Sequence, residues 1–325
     1  MAGLVLFLLA SIFCGISPNL ELLIGARAVQ GMGAAVLMTL TIALVHETTG
    51  GVRVGRAMGL LGTMSAVGTA LGPTLGGLMI GLFGWRSVFL VLGPIALLAI
   101  GLALRTLPAD KLVEKPPRIN LVAFSAKGIE PSLIANALVA AVMMTTLIVG
   151  PFYLGLALGL PEAMVGMAMS IGPVISIFCG VPSGRLVDAW GATPVLTTGL
   201  IAMAIGAFSL SVLPEFFGVG GYLIAIAILT PGYQMFQSAN NMKVMAEVQS
   251  DQRGAVSGLL TLARNIGLIL GATAMGTVFS FGVGPDAIID ASSDSIVDGR
   301  QLTFVVAGNM IVAALWMARR KPIGP

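Results

Sequence analysis

Polar and apolar positions along this 325-residue chain separate into long apolar runs joined by short polar stretches. The runs fall at residues 2–16, 22–45, 54–83, 86–104, 132–158, 164–183, 194–213, 218–238, 256–281 and 302–318. Most of the ten are 17 residues or longer, enough for a helix to cross roughly 30 Å of hydrocarbon. Membrane strands would need shorter segments with strict alternation, and the chain has none. The pattern predicts an all-α polytopic membrane protein with about ten transmembrane helices.

Composition strengthens this reading. Hydrophobic residues make up 57% and charged residues 10%, and the mean hydropathy is +0.99. An average soluble domain has about a quarter of its residues charged. If residue 1 starts in the cytoplasm and every run crosses, thirteen basic residues collect on that side: Arg53, Arg56, Arg105, Lys111, Lys115, Arg118, Lys127, Arg185, Lys243, Arg253, Arg319, Arg320 and Lys321. Arg86 and Arg300 fall on the other side, while Arg27 and Arg264 lie inside helices. This positive-inside bias predicts a multi-pass protein of the cell membrane with both termini cytoplasmic. The pI near 9.1 is then a topology signal and not a nucleic-acid signature, because no basic stripe exists outside the short loops.

Other compositional readings close off alternatives. The first run lacks the basic n-region and small-residue cleavage site of a signal peptide. Cys14 and Cys179 fall in apolar runs as buried thiols, and His46 has no second ligand at useful spacing, so neither a disulfide framework, a metal site nor any cofactor is expected. A primary pump would need a G-x4-G-K-[ST] loop, which is absent. Ser183-Gly184 has no helical base to activate it, so the chain is not expected to be an enzyme.

The chain contains a repeat. Residues 59–77 placed over 258–276 without gaps match Gly59 to Gly258, Gly68 to Gly267, Gly72 to Gly271 and Gly77 to Gly276, at an offset of 199. Two pseudo-symmetric bundles follow: 1–107 with four helices, 131–325 with six, and a charged cytoplasmic linker at 108–130. The offset sets residue 1 opposite residue 200, so the pattern expects two helices and a loop before Met1.

Three motifs carry a family resemblance. Gly59, Gly68, Gly72-Pro73 and Gly76-Gly77 fit the pattern G-x8-G-x3-G-P-x2-G-G, and Leu23, Arg27, Gln30-Gly31, Gly33 and Ala34-Ala35 fit L-x3-R-x2-Q-G-x-G-A-A. Gly184, Arg185, Leu186, Asp188 and Gly191 are similar to a loop signature G-x-L-x-D-x-x-G, with Ala192 and Thr193 where a basic pair is usual. The chain thus resembles the drug:proton antiporter branch of the major facilitator superfamily, the twelve-helix type. The resemblance implies a secondary active transporter that works by alternating access, exporting small amphipathic or hydrophobic compounds in exchange for protons, with the lipid bilayer, a small-molecule substrate and protons as its partners. The competing reading is an N-terminally truncated, non-transporting fragment, or a binding or sensing relic of the same fold, in need of a protein partner whose nature the sequence does not name.

The candidate residues follow from motif and chemistry together. Gly68, Gly72 and Gly76 lie four apart as a flat ridge beside the bend permitted by Pro73; Gly59 and Gly77 complete the motif. The expectation is a close, bendable contact between bundles, against plain static packing. Arg27 inside an apolar helix is costly unless paired or snorkelling, and the resemblance gives the matching arginine to proton coupling; Gln30, on the same face at i+3, is a candidate beside it. Gln234, Gln237 and Asn241 form a stripe, with Asn240 beside it; Arg264 and Asn265 interrupt a later run. These are candidates for a substrate cavity, or alternatively for interhelical hydrogen bonds, and Met143, Met144 and Tyr153 could add an adaptable wall. Gly184, Arg185, Asp188 and Gly191 form a candidate cytoplasmic gate loop, with Asp188 expected to hold the helix start near Val54–Met58 through its dipole, or else to be a solvated loop charge. The fourteen acidic residues all map to loops or helix ends, so no coupling carboxylate is placed mid-membrane.

Overall fold

The computed structural model describes residues 1–49, 64, 68, 72, 75–106, 129–246, 253–284 and 288–319, with side chains for all of these except 38–49, 253–255 and 257. The chain divides into two compact units, Met1–Pro116 and Pro117–Pro325. Every element of both is helical among the described residues. Among the described residues seven helices are long and apolar enough to cross a membrane, and the shorter Ala2–Ile16 is apolar too.

In the first unit, α1 (Ala2–Ile16) packs along α2 (Leu20–Thr49), with helical residues 75–83, the short α3 (Ser87–Leu90) and α4 (Leu92–Thr106) completing it. The turn between α1 and α2 is built by Ser17-Pro18-Asn19. Asn19 Oδ1 accepts from the Leu22 amide at 3.0 Å, satisfying one of the donors that a helix start leaves free. Gly33 lets the two helices approach: a Cβ there would sit 2.9 Å from the Phe7 nitrogen and 3.0 Å from its Cα. Backbone cannot move aside as a side chain can, so Gly33→Val should cost on the order of 1–3 kcal/mol through overpacking. A thermal unfolding midpoint unchanged from wild type would refute this role.

The second unit begins with α5 (Glu130–Phe152), which carries Pro151 in its last turn and continues as a π-helical turn, Tyr153–Ala157. Pro151 offers no N–H to the helix ladder, and a widened turn follows it. Next comes α6 (Glu162–Trp190), ended by Gly191 at φ +84° and ψ 162°, a positive-φ conformation that glycine adopts without a Cβ penalty. The long α7 (Ala192–Ala246) would run about 80 Å if straight, far beyond one hydrocarbon thickness. It is two arms that meet at Gly218, whose φ of 53° and ψ of −128° break the helix. The arms lie side by side and antiparallel: Gly206 abuts Leu229, and Gly199 abuts Gly232 and Phe236. The runs 194–213 and 218–238 thus occupy one element with a reversal in it.

α8 (Arg253–Val283) and α9 (Ser293–Arg319) close the unit, with α8 lying along α5 and α9 along α7. The core between them is apolar, with Val139, Leu200, Met203, Phe236, Phe279 and Phe304 all buried, while large apolar residues such as Phe178 and Phe281 are exposed. That outward apolar surface is what a bilayer solvates.

One expectation is corrected here. Hydropathy starts the last run at 302, leaving Arg300 in an outer loop, but the helix starts at Ser293 and Arg300 is fully buried within it. Ser292 Oγ accepts from the Ser295 amide at 3.2 Å, and Asp294 sits in the first turn, both favourable at a helix N-terminus. Polar residues placed to start a helix read as loop on a hydropathy scale.

Candidate functional site

In the first unit, the apolar α1–α2 contact encloses a polar chain. Arg27 Nη1 donates to Gln30 Oε1 at 2.8 Å; Gln30 Nε2 donates to Ser11 Oγ at 2.7 Å; Ser11 Oγ donates to the Phe7 carbonyl at 2.7 Å. Arg27 and Gln30 are one turn apart on α2, which aligns them on one face. Gln30 and Ser11 are buried, whereas Arg27 is exposed with its guanidinium 5.3 Å from the Phe89 ring centroid. The arginine is therefore paired and aromatic-faced rather than bare, the condition under which an intramembrane cation persists. Ser11, which carries no motif, escaped the sequence reading.

At the end of the second unit where α5 finishes and α9 begins, a second cation is more deeply placed. Arg300 Nη1 donates to the Leu210 carbonyl at 2.7 Å, and its guanidinium lies 4.6 Å from the Tyr153 ring centroid. Pro214 explains the first bond: the Leu210 carbonyl would normally accept from residue 214, and proline has no N–H to give. Tyr153 in turn donates its hydroxyl to the Pro214 carbonyl at 3.0 Å. Arg300 and Tyr153 thus serve the carbonyls of one distorted stretch of α7, four residues before the break at Gly218. Tyr222 completes the cluster, 6.4 Å from Tyr153 between ring centroids.

The sequence held a signal for Arg300. The buried positions of α9 include Ile296, Arg300, Phe304, Ala307, Ile311 and Ala314, spaced by three and four, so the arginine occupies a place in the apolar stripe.

Toward the other end of this unit, Asn136 Nδ2 donates to the Leu260 carbonyl at 2.8 Å, tying α5 to α8, and Asn240 Nδ2 donates to the Ser132 carbonyl at 3.4 Å, tying α7 to α5. Asn240 is fully buried and takes the interhelical role that stood as its alternative to cavity lining. Asn136 was not singled out from sequence, since a lone asparagine in an apolar run carries no pattern.

The remaining candidates are spread around the units. Gln234 and Gln237 are half-buried, Gln237 Nε2 donating to the Tyr233 hydroxyl at 3.2 Å. Asn241, Arg264 and Asn265 are exposed, Met143 and Met144 half-buried, and Tyr153 is buried in the Arg300 cluster. Arg185 and Asp188 are exposed in the last turns of α6, not in a loop, beside half-buried Gly184; the expected target of Asp188, 54–58, lies outside the described residues. Gly59 and Pro73 lie outside them as well. At Gly68, Gly72 and Gly76 no described atom is within 4 Å of where a Cβ would stand, and Gly77 is half-buried. The repeat partners Gly267 and Gly271 are different: they press on the α5 backbone at Ala137 and Ala141. Among the described residues no three His, Cys, Asp or Glu side chains come together as metal ligands do.

Comparison with known proteins fits this architecture. The chain is 27% identical over 327 residues to the uncharacterized transporter YebQ of Escherichia coli (strain K12), covering 83% of this chain and 72% of that protein. It is 25% identical to the riboflavin transporter RibZ of Clostridioides difficile (strain 630), covering 86% and 72%. It is 23% identical to the multidrug efflux pump LfrA of Mycolicibacterium smegmatis, covering 84% and 66%. Among solved structures, a bacterial homologue of the human lysosomal transporter Spinster, inward-facing and occupied, shares the fold with a TM-score of 0.79 at 17% identity, over 98% of this chain and 80% of that one. The sequence profile of the Major Facilitator Superfamily matches residues 1–272, and the chain, a multi-pass all-helical membrane protein, belongs to that superfamily.

Proposed function

We propose that this protein is a proton-coupled efflux transporter for small amphipathic or hydrophobic compounds, working by alternating access and not as an enzyme. The observation that carries the reading is the Arg27–Gln30–Ser11 chain: a cation within a membrane helix, bonded to a buried amide on its own helix that in turn donates to a buried hydroxyl on the neighbouring helix. Intramembrane arginines are expensive and are retained where they handle charge. Relatives named as a multidrug efflux pump and as a riboflavin transporter support an amphipathic substrate class. In this reading the bundles are 1–107 and 131–325 with a cytoplasmic linker at 108–130, and the termini are cytoplasmic in the cell membrane. Gln234, Gln237, Asn241, Arg264, Asn265, Met143 and Met144 are the candidates for contact with substrate. Asp188 and Arg185 are candidates for the cytoplasmic gate.

Arg27→Ala tests the proposal. Full-length chain reconstituted in proteoliposomes with an imposed pH gradient should export a fluorescent cationic dye, and the variant should lose at least about tenfold in rate, the value of one charged hydrogen-bonded group, while its thermal midpoint stays near that of wild type. Transport by the variant at the wild-type rate, with the same dependence on the gradient, would sink the reading.

A further inference from the structure

The Arg300 guanidinium is only partly used. Its Nη1 is bonded to Leu210, but Nε and Nη2 have no hydrogen-bond partner among the described residues, although the residue is fully buried. These two nitrogens share one edge of the guanidinium plane and present parallel N–H groups, the arrangement that a carboxylate grips with two bonds. A buried cation with that edge empty bears a desolvation cost that a counter-charge would offset. The free edge therefore identifies the chemistry of what belongs there.

Glu215 and Asp298 both line an open cavity of about 450 Å³, with Ser211, Gln301 and Val305 among its walls. Asp298 precedes Arg300 by two positions on α9, which turns it roughly 200° away around the helix. The two phenols of the cluster are engaged otherwise, Tyr153 on the Pro214 carbonyl and Tyr222 on Met169 Sδ at 3.4 Å. Glu215 is different. It follows Pro214 directly, and its Oε2 accepts from Gln301 Nε2 at 2.8 Å, Gln301 being the residue after Arg300. Its carboxylate is thus tethered one residue from the cluster along both α7 and α9. The backbone that carries it runs from Pro214, which has no N–H for the helix ladder, to the break at Gly218.

We propose that the Nε/Nη2 edge of Arg300 is a carboxylate-binding site, and that Glu215 is the carboxylate that enters it in a second conformation of this unit, exchanging Gln301 for Arg300. The exchange makes a bidentate ion pair that bridges α7 and α9 beside the kink, so the two positions of Glu215 set two positions of the α7 reversal. It is independent of the substrate and of proton coupling.

A double-mutant cycle on the full-length chain in lipid nanodiscs tests this. The folded-to-unfolded ratio would be measured for wild type, Glu215→Gln, Arg300→Met and the double variant, with Asp298→Asn as control. The expected result is that Glu215→Gln lowers the ratio at least about tenfold when Arg300 is present and about twofold or less when it is not, with Asp298→Asn near wild type. Should Arg300→Met fail to fold, Arg300→Lys, which keeps the charge but not the two-donor edge, replaces it and should remove the coupling in the same way. Additive effects in the cycle overturn the proposal. Stabilisation by sodium acetate over equimolar sodium chloride, in wild type and in Glu215→Gln alike, would assign the edge to a solute carboxylate and overturn the role of Glu215.

Discussion

Gly267→Val should leave little or no folded protein to purify. A Cβ at Gly267 would stand 2.2 Å from the Ala137 carbonyl oxygen and 2.7 Å from the Ala137 Cα, and one at Gly271 would stand 2.5 Å from the Ala141 Cα. The three nearest atoms at each position are backbone of α5, so no rotamer change relieves the clash; α8 must leave α5. Within a bilayer that separation is hard to offset, because lipid gives helices no hydrophobic drive to stay together and close van der Waals packing of small residues carries the association. Overpacking typically costs 1–3 kcal/mol where neighbours can shift, so roughly 3 kcal/mol is a lower bound at a backbone-on-backbone contact. Gly276→Val is the internal control, since no described atom lies within 4 Å of its Cβ position. Size-exclusion profiles of fluorescently tagged variants would show a monodisperse peak for wild type and Gly276→Val and its loss for Gly267→Val. A normal peak for Gly267→Val would refute the α5–α8 contact.

Arg300→Met should be strongly context-dependent. In the native background it strips the donor from the Leu210 carbonyl, which Pro214 has already deprived of its helical partner, and it removes the cation from the face of Tyr153. In a Pro214→Ala background the carbonyl regains a helical N–H, and the arginine is no longer needed as its donor. The two substitutions should therefore couple by about 1–3 kcal/mol, the cost of a buried acceptor left unsatisfied, with Pro214→Ala rescuing part of the loss. The sign of the single-variant effect mixes this loss with the relief of a buried charge, so the cycle and not the single variant is decisive. Equal effects of Arg300→Met in both backgrounds, by thermal unfolding in lipid, would show that Arg300 does not serve the proline-broken turn.

Both results bear on how the unit works. The α7 reversal at Gly218 is bracketed by residues from two other elements, Tyr153 at the π-helical end of α5 and Arg300 on α9. A kink held by side chains from elsewhere can be repositioned by moving those side chains, whereas a kink set by proline alone cannot. The first unit shows the same economy at Gln30, which answers Arg27 on its own helix and Ser11 on the next.

Much of the fold was legible in the chain because lipid imposes a harsh filter. A segment that crosses hydrocarbon must satisfy its backbone internally and be apolar over about 20 residues, so hydropathy alone reveals helices and their approximate limits. The α1–α2 turn at Ser17-Pro18-Asn19 falls in the polar gap between the first two runs, whereas the helix end at Gly191 was not legible, because hydropathy drops after 183 and residues 184–191 read as a loop. Arg27 and Gln30 could be paired from their three-residue spacing, because that contact is local to one helix.

Tertiary structure alone decided the rest. The glycines of the repeat, equivalent by offset, differ in surroundings: Gly267 and Gly271 press on another backbone, whereas no described atom lies within 4 Å of a Cβ at Gly258 or Gly276. Asn240 looked like a companion of the Gln234–Gln237–Asn241 stripe, yet its bond to Ser132 reaches 108 positions along the chain. Arg300 looked like an outer-loop cation, and its partners are Leu210, 90 positions away, and the Tyr153 ring. Hydropathy and spacing describe what one helix presents. Which neighbour receives it depends on how helices distant in sequence pack, and that packing sets whether a polar residue meets lipid, water or a carbonyl that a proline has left without a donor.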